Sequence, residues 1–533
     1  MANLPIRGLG SVGVVTDVDP YNLPLSGFTR AKNVRFNEGK VTAGPIYRKV
    51  SDAVSWTPMF SYGLTSPSGY DTVLVVDDTL TIREFSNGAF TSVYTGSIQS
   101  PSTELTATTL ADVTYINRSD TAPLHRASGG TNFTTLPNWP SGYLTNSLRS
   151  YGDFLLALGT VENGVTYPNR VRFSDPALAN SVPSTWDETD LTASAGFNDI
   201  VQMKTPIIDG ATLGSNFLVY SSDQVWLVEF VGGTFIFNFR KIFDDAGVIN
   251  KNCIAEVEGK HYVFDQDDIY VTDGNTRQSI CDGRVRNFIY SGIDLSKSDR
   301  CFVMHNSDLE EIYFCYHTGD DMAVYTDGDA CNRAAVYNYK EDLWTFQDTP
   351  NVVSGAVANV NTVLTYATVN QTYATVGGSY HDQESQFGRH ILLVSDVGGG
   401  VIERRLYGVD LVDEGSLAAE IDNSISQPVF LERQGIDLDE QGIPLTGYKV
   451  ITKVIPQVST PNPDGAFNFT FGASAIPTSD PNYGSPNTFD ALSDYKVDTR
   501  ISGRYLSYKL TSDSLKDFAF SGMDVEVMVT GRR

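Results

Sequence analysis

Positive charge is scarce in this 533-residue chain. Its 38 Lys and Arg face 64 Asp and Glu, for a formal net charge of −26 and an isoelectric point near 4.5. A surface this acidic repels phosphate backbones and anionic lipids, which argues against nucleic-acid readout and membrane docking. Adaptation to a saline habitat and a conduit through which DNA slides without sticking both stay open as origins of the charge. Long apolar runs are missing as well. No stretch approaches about 18 apolar residues, so no membrane insertion is expected. The opening MANLPIRGLGSVGVVTD has Arg7 but no apolar core suited to a secretory signal. Without a secretion route, the sequons at Asn117, Asn132, Asn370 and Asn468 carry no weight.

Cysteine is sparse and oddly placed. The five (Cys253, Cys281, Cys301, Cys315, Cys331) fall in one region and form no CxxC. They are expected to be small buried hydrophobes rather than a disulfide framework, and reduced thiols suit assembly in a cytoplasm. No GxSxG, HExxH or GxxxxGK[ST] occurs, which removes the usual support for nucleophilic, zinc-protease and P-loop chemistry. Helical periodicity is equally rare, with residues 417–421 a short exception.

What the chain does have is strand. Residues 215–283 give apolar runs at 217–220, 224–230 and 234–243, then at 253–257, 261–265 and 269–272. Ser-Ser-Asp, Gly-Gly and similar turn residues separate them. Short β-branched and aromatic runs with a turn roughly every 8–12 positions point to an all-β sandwich, barrel or propeller. Comparable units occupy 72–94, 112–128, 153–175 and 301–348, with Asn-Gly hairpin signals at Asn87-Gly88 and Asn163-Gly164. Six such units, repeating about every forty residues, predict a six-bladed β-propeller. Further strands at 362–369 and 390–396 could close the ring. After Gly398-Gly399-Gly400 the texture changes to strands separated by Pro-, Asn- and Ser-rich loops, a second β-domain. The first fifty residues hold only short strands, too few to fold alone. The expected division is 1–50, a segment that packs on another domain; 51–410, the propeller; and 411–533, the C-terminal β-domain.

Candidate chemistry is thin. Cys301, His305, Cys315 and His317 are zinc-type ligands, yet the C-x3-H and C-x-H spacings fit no usual zinc site. Asp265, Asp267, Asp268 and Asp273 suggest a calcium loop but lack the glycine and terminal Glu of an EF-hand. A glycan-cleaving propeller is the enzymatic alternative and needs paired carboxylates. Thr272-Asp273-Gly274 and Thr326-Asp327-Gly328 are fragments of sialidase boxes without the closing aromatic, and Arg404-Arg405 is an isolated pair. No catalytic, cofactor-binding or metal-binding residue is assigned, and no enzyme or cofactor is expected.

Three segments together resemble the tail nozzle proteins of short-tailed bacteriophages, the tail tubular protein B group. They are DVDPYNLPLSGFTRAKNVRFNEGKVTAGPIYRKV (17–50), NRVRFSDPALANSVPSTWD (169–187) with the blade from Leu218, and KVDTRISGRYLSYKL … FSGMDVEVMVTGRR at the C-terminus. The resemblance implies a structural virion protein with a propeller body and a platform that the N- and C-terminal parts form together. It implies a homohexameric ring below the portal and adaptor, with tail fibres as a further partner. Such a ring seals packaged DNA and passes it through the lumen without sequence-specific binding. The acidic turns holding Asp320, Asp321, Asp327 and Asp329 are candidates for lumen lining. The terminal segments are expected to pack on each other rather than on the blades, and the propeller to fold without residues 1–50. A polysaccharide-binding or -cleaving propeller remains the alternative function.

Overall fold

A computed structural model describes residues 2–66, 69–86, 88–97, 105–233, 235–358, 389–395, 402–410, 425–443, 447–461, 465–477, 479–512 and 517–530. The expected strand at 362–369, the helical stretch at 417–421 and the glycine run at 398–400 lie outside these residues. The protein is all-β, and its body is a β-propeller. Among the described residues the one α-helix is Arg286–Gly292, and no helix is long and apolar enough to cross a membrane.

Five four-stranded antiparallel sheets follow one another along the chain. Their first strands are Pro58–Ser66, Leu105–Leu110, Tyr143–Tyr151, Asp209–Leu213 and Ile254–Val257, which open blades 1 to 5. Each blade is apolar on both faces because a neighbour covers each one. Val73 to Val76 in blade 1 and Leu155 to Leu158 in blade 3 are therefore unbroken buried runs rather than alternating ones. Tight turns join the strands. Asn163 and Gly164 have φ of 51° and 83°, the left-handed pair that a two-residue hairpin demands.

The sixth sheet holds seven strands and makes two blades. Strands Phe302–Asn306, Glu311–Tyr316, Cys331–Asn338 and the first part of Leu343–Ala358 form blade 6. Leu343–Ala358 then runs on. From Val352 it pairs with Arg389–Val394, which pairs with Leu406–Asp410, which pairs in turn with Ile46–Lys49 from the N-terminal segment. The outer strand of blade 6 thus becomes the inner strand of blade 7, and the switch sits at Asn351, whose φ is 51°. Among the described residues seven inner strands surround the axis, which corrects the six blades expected from six repeat units. The seventh blade leaves no repeat unit because it shares one strand and borrows another from over 300 residues away.

Five of the junctions between blades have their own apolar cluster. Met59, Val76 and Ile116 join blades 1 and 2; Val113, Leu148 and Trp186 join 2 and 3; Leu156, Trp226 and Phe237 join 3 and 4. Phe302, Tyr313 and Leu392 join blades 6 and 7, while Val75, Phe85 and Leu393 close blade 7 on blade 1. The closure is tight: a side chain at Gly63 of blade 1 would overlap the Val357 carbonyl of blade 7.

The chain ends build a second body of two six-stranded sheets. In one, Ala2–Arg7 pairs with Ala519–Thr530, which also joins Lys40–Ala43 and Tyr448–Ser459. In the other, Arg30–Lys32 pairs with Val429–Ile436, which is followed by Tyr505–Ser512 and Ala466–Ser474. Ile6, Ile451, Phe469, Leu506 and Val525 are among the side chains buried in this body. The expectation that the termini avoid the blades is corrected. One continuous apolar core runs from this platform into blades 4 to 6, and Val14 donates its N–H to the Trp344 carbonyl and Asn33 to that of Phe346.

Candidate functional site

The seven inner strands enclose an axial cavity of about 340 Å³ with a polar lining. Asp209, the first residue of its strand and 1% exposed, lines it. Arg149 from blade 3 meets this carboxylate through two nitrogens, at 2.9 and 2.6 Å, and the Ser147 hydroxyl donates at 2.7 Å. The backbone N–H of Asn252, leading into blade 5, donates at 3.0 Å. Burial raises the carboxyl pKa, but the charge and hydrogen bonds of Arg149 outweigh it, so Asp209 titrates below its ordinary range. Arg149 also donates to the Ala107 carbonyl in blade 2 and to the Asn252 side chain, which reaches the Leu105 carbonyl. Ser61 and Ser354 share a hydrogen bond at 3.1 Å across the closure of blades 1 and 7. The polar atoms of the axis thus hold blades in place. A carboxylate already paired with a guanidinium and three further donors, the third being the Gly210 N–H at 2.9 Å, is poorly placed for acid–base work.

The second concentration of buried charge joins platform to propeller. Residues 32–36, KNVRF, lie in the N-terminal strands, and the side chains of Lys32, Asn33 and Arg35 turn into blade 6. Lys32 Nζ lies 3.0 Å from Asp348 Oδ2, and the Asn33 amide donates to the same carboxylate at 2.8 Å. Asp348 returns its backbone N–H to the Asn33 side-chain oxygen at 2.9 Å, while Asn33 adopts φ 58°. Arg35 Nε sits 2.5 Å from Glu311, and Nη2 donates to the Tyr313 hydroxyl and to Gln347. Lys32, Arg35, Glu311 and Asp348 are all buried. Burial opposes the charge on Arg35, yet Glu311 and Tyr313 hold its pKa above the ordinary value. Tyr47, in the borrowed strand of blade 7, donates to the Asp348 carbonyl and accepts from Gln347. One network therefore links the platform, blade 6 and the ring closure.

The residues that the sequence offered for chemistry fall to structural duties. All five cysteines are buried and free. Burial pushes the Cys301 thiol up to about 12, and Cys253 donates to the Cys301 carbonyl. Cys301, His305, Cys315 and His317 do not assemble; among the described residues no group of three or more His, Cys, Asp or Glu is placed to hold a metal. His317 approaches Lys297 at 3.2 Å, and His305 approaches the Tyr339 hydroxyl. Asp265 accepts from the Gly247 and Gln266 N–H groups, Asp268 from Ser279, and Asp273 from Asn275 and Thr276. These acids are turn and cap residues, as the missing EF-hand positions suggest. Arg404 donates to the Ser55 carbonyl, and Arg405 pairs with Glu403. In the acidic turn, Asp320 pairs with Arg333, Asp321 with Arg30 and Asp329 with Lys297, while the Asp327 carbonyl accepts from Asn351. Most of that charge is neutralised against the N-terminal strands and blade 6.

No protein-family model matches this chain, and no curated protein matches it. Among solved structures, the WD40 β-propeller domain of Doa1 aligns at 11% identity over 69% of this chain and 98% of that one, with a TM-score of 0.38. A structure of the Mitotic Checkpoint Complex aligns at 8% identity over 69% of this chain and 95% of that one, also at 0.38. Likeness at that level carries nothing about function.

Asp209 and Arg149 give no signal in the sequence, since a pair sixty residues apart becomes a pair only when blades 3 and 4 meet. The KNVRF charges do give one. Three polar side chains inside an apolar strand need buried partners.

Proposed function

We propose that this chain is a non-enzymatic structural subunit of a virion: the tail nozzle of a short-tailed bacteriophage, assembled as a homohexameric ring below the portal and adaptor. The observation that carries this reading is the joint. The KNVRF residues, part of the resemblance to nozzle proteins, are the ones whose buried charges fasten a platform of both chain ends to the propeller. A body that must transmit load between an adaptor and a tail tip gains from such a weld, because buried, hydrogen-bonded ion pairs fix one arrangement of the two parts. The glycan-cleaving alternative needs two free carboxylates flanking a bond. In the axial cavity Asp209 is taken up by Arg149.

The test is electron microscopy of assemblies recovered from infected cells through a tag on this chain. A closed ring with a central pore, seated on an adaptor, is expected. Recovery of a lone monomer that hydrolyses host polysaccharide would overturn the proposal.

A further inference from the structure

The axial cavity is lined by one cation that the blade network leaves unused. Arg300 stands just before the inner strand of blade 6, Phe302–Asn306, and borders the space of about 340 Å³. Its side chain is 23% exposed, and Nη1 meets the sulfur of Met59, in blade 1, at 3.8 Å. Among the described residues Asp299 is the one carboxylate in ion-pair range of it, 3.8 Å from Nε and beyond hydrogen-bond reach, and no oxygen accepts from this guanidinium. A largely desolvated guanidinium has five N–H donors to satisfy. Arg149 shows the contrast: Asp209, the Ala107 carbonyl and the Asn252 side chain take its donors. The lining charges therefore do not balance. Arg149, Lys251 and Arg300 stand against Asp209 and Asp299. Arg149 and Asp209 cancel at 2.6 Å, and Asp299 is 54% exposed, whereas Lys251 is buried.

We propose that the axial cavity binds a small free oxyanion of the phosphate or sulfate class, held by the Arg300 guanidinium. The planar fork matches two oxygens of such an ion at once, and Lys251 adds a second positive charge to the same lining. A metal cation is disfavoured, since Asp209 is already taken up and Arg300 repels it. An apolar ligand would bury the guanidinium with no acceptor. A cavity of this volume does not admit a nucleic-acid duplex, so the ligand is an ion rather than a DNA phosphate. The net charge of −26 does not forbid an anion here, because at about 0.15 M salt charges farther than about 8 Å are screened and the lining decides. An ion bound to Arg300 at the start of blade 6 and facing blade 1 stabilises the closed ring by linkage. The proposal stands independently of the nozzle reading.

The test uses the full chain and inorganic phosphate as the probe, by equilibrium dialysis of radiolabelled phosphate in a chloride buffer near neutral pH at about 0.15 M ionic strength. Saturable binding of one phosphate per chain is expected. Arg300→Gln should weaken it at least about tenfold, the loss of a charge-assisted hydrogen bond. Arg300→Lys, which keeps the charge and loses the fork, should fall between the two and serves alone if the Gln variant does not fold. Thermal unfolding followed by circular dichroism gives the second readout: phosphate should raise the wild-type midpoint above that in chloride of equal ionic strength, and raise that of Arg300→Gln less. No saturable binding, or equal affinity in wild type and both variants, would overturn the proposal. An equal rise of the midpoint in wild type and variant would be the general effect of an excluded salt and would overturn it as well.

Discussion

At the residue scale, blade 5 carries two buried titratable groups whose effects on stability oppose each other. His261 lies between the Tyr220 hydroxyl at 2.8 Å and the Thr212 carbonyl at 2.7 Å, and burial holds its pKa down to about 4 from an ordinary 6.5. The folded chain binds fewer protons at this site than the unfolded chain, so its stabilising share is present above about 6.5 and lost as pH falls towards 4. Asp265 runs the other way. Burial raises its pKa from 3.8 to about 6, so its share is greatest in acid and lost as pH rises through about 6. Between those limits the two slopes largely cancel. Asp265→Asn removes one of them. The variant should gain on wild type as pH rises from about 4 to about 7, by up to about 2–3 kcal/mol, read from urea unfolding curves across that range. A difference independent of pH would mean that Asp265 titrates as in the unfolded chain.

At the element scale, the decisive strand is Ile46–Lys49. It is the outer strand of blade 7, in register with Leu406–Asp410 from Asp410↔Ile46 to Tyr407↔Lys49. Ile46 and Tyr47 are buried there. Removing residues 1–50 deletes this strand and also Lys32 and Arg35, leaving Asp348 and Glu311 buried without those partners. Breaking one buried pair costs about 3–5 kcal/mol, against about 5–15 kcal/mol for a whole protein. The truncated chain should therefore lose cooperative unfolding by circular dichroism and become sensitive to protease throughout the blades. A cooperatively folded 51–533 chain would refute the clasp. The individual strands are well marked in the sequence: the runs at 224–230 and 269–272 match Gln224–Phe230 and Ile269–Thr272 residue for residue. Local alternation and turn chemistry decide such strands, so one sequence is enough to find them. The clasp is a different matter. IYRK, flanked by Pro45 and Val50, is an ordinary short strand, and nothing within it points to a partner past residue 400. The same holds for Leu343–Ala358, where a bend at Asn351 rather than a turn passes the chain between blades, so a count of turns misses blade 7.

At the scale of the whole molecule, the net charge of −26 becomes more one-sided at the surface than composition suggests. Arginines are the favoured interior cations here. Arg35, Arg126, Arg149, Arg170, Arg172 and Arg333 all sit largely buried against carboxylates. Each such pair removes one charge of either sign from the surface and leaves the acidic excess with fewer exposed cations to offset it. Under the proposed role this is useful. Duplex DNA adheres by releasing counterions to exposed Lys and Arg, and each phosphate contact so made must be broken as the strand slides. Screening limits the relevant charges to those within about 8 Å of the duplex at about 0.15 M salt, so a wall without unpaired cations is enough. The isolated chain should accordingly show no retention of duplex DNA in gel-shift or filter-binding assays at about 0.15 M salt, and none on lowering the salt to about 0.05 M, where any cationic patch would bind more tightly. Salt-sensitive retention of DNA would reveal a basic surface that the charge balance conceals. It would remove the passage argument as an explanation of the acidity, while the ring itself would still be decided by imaging.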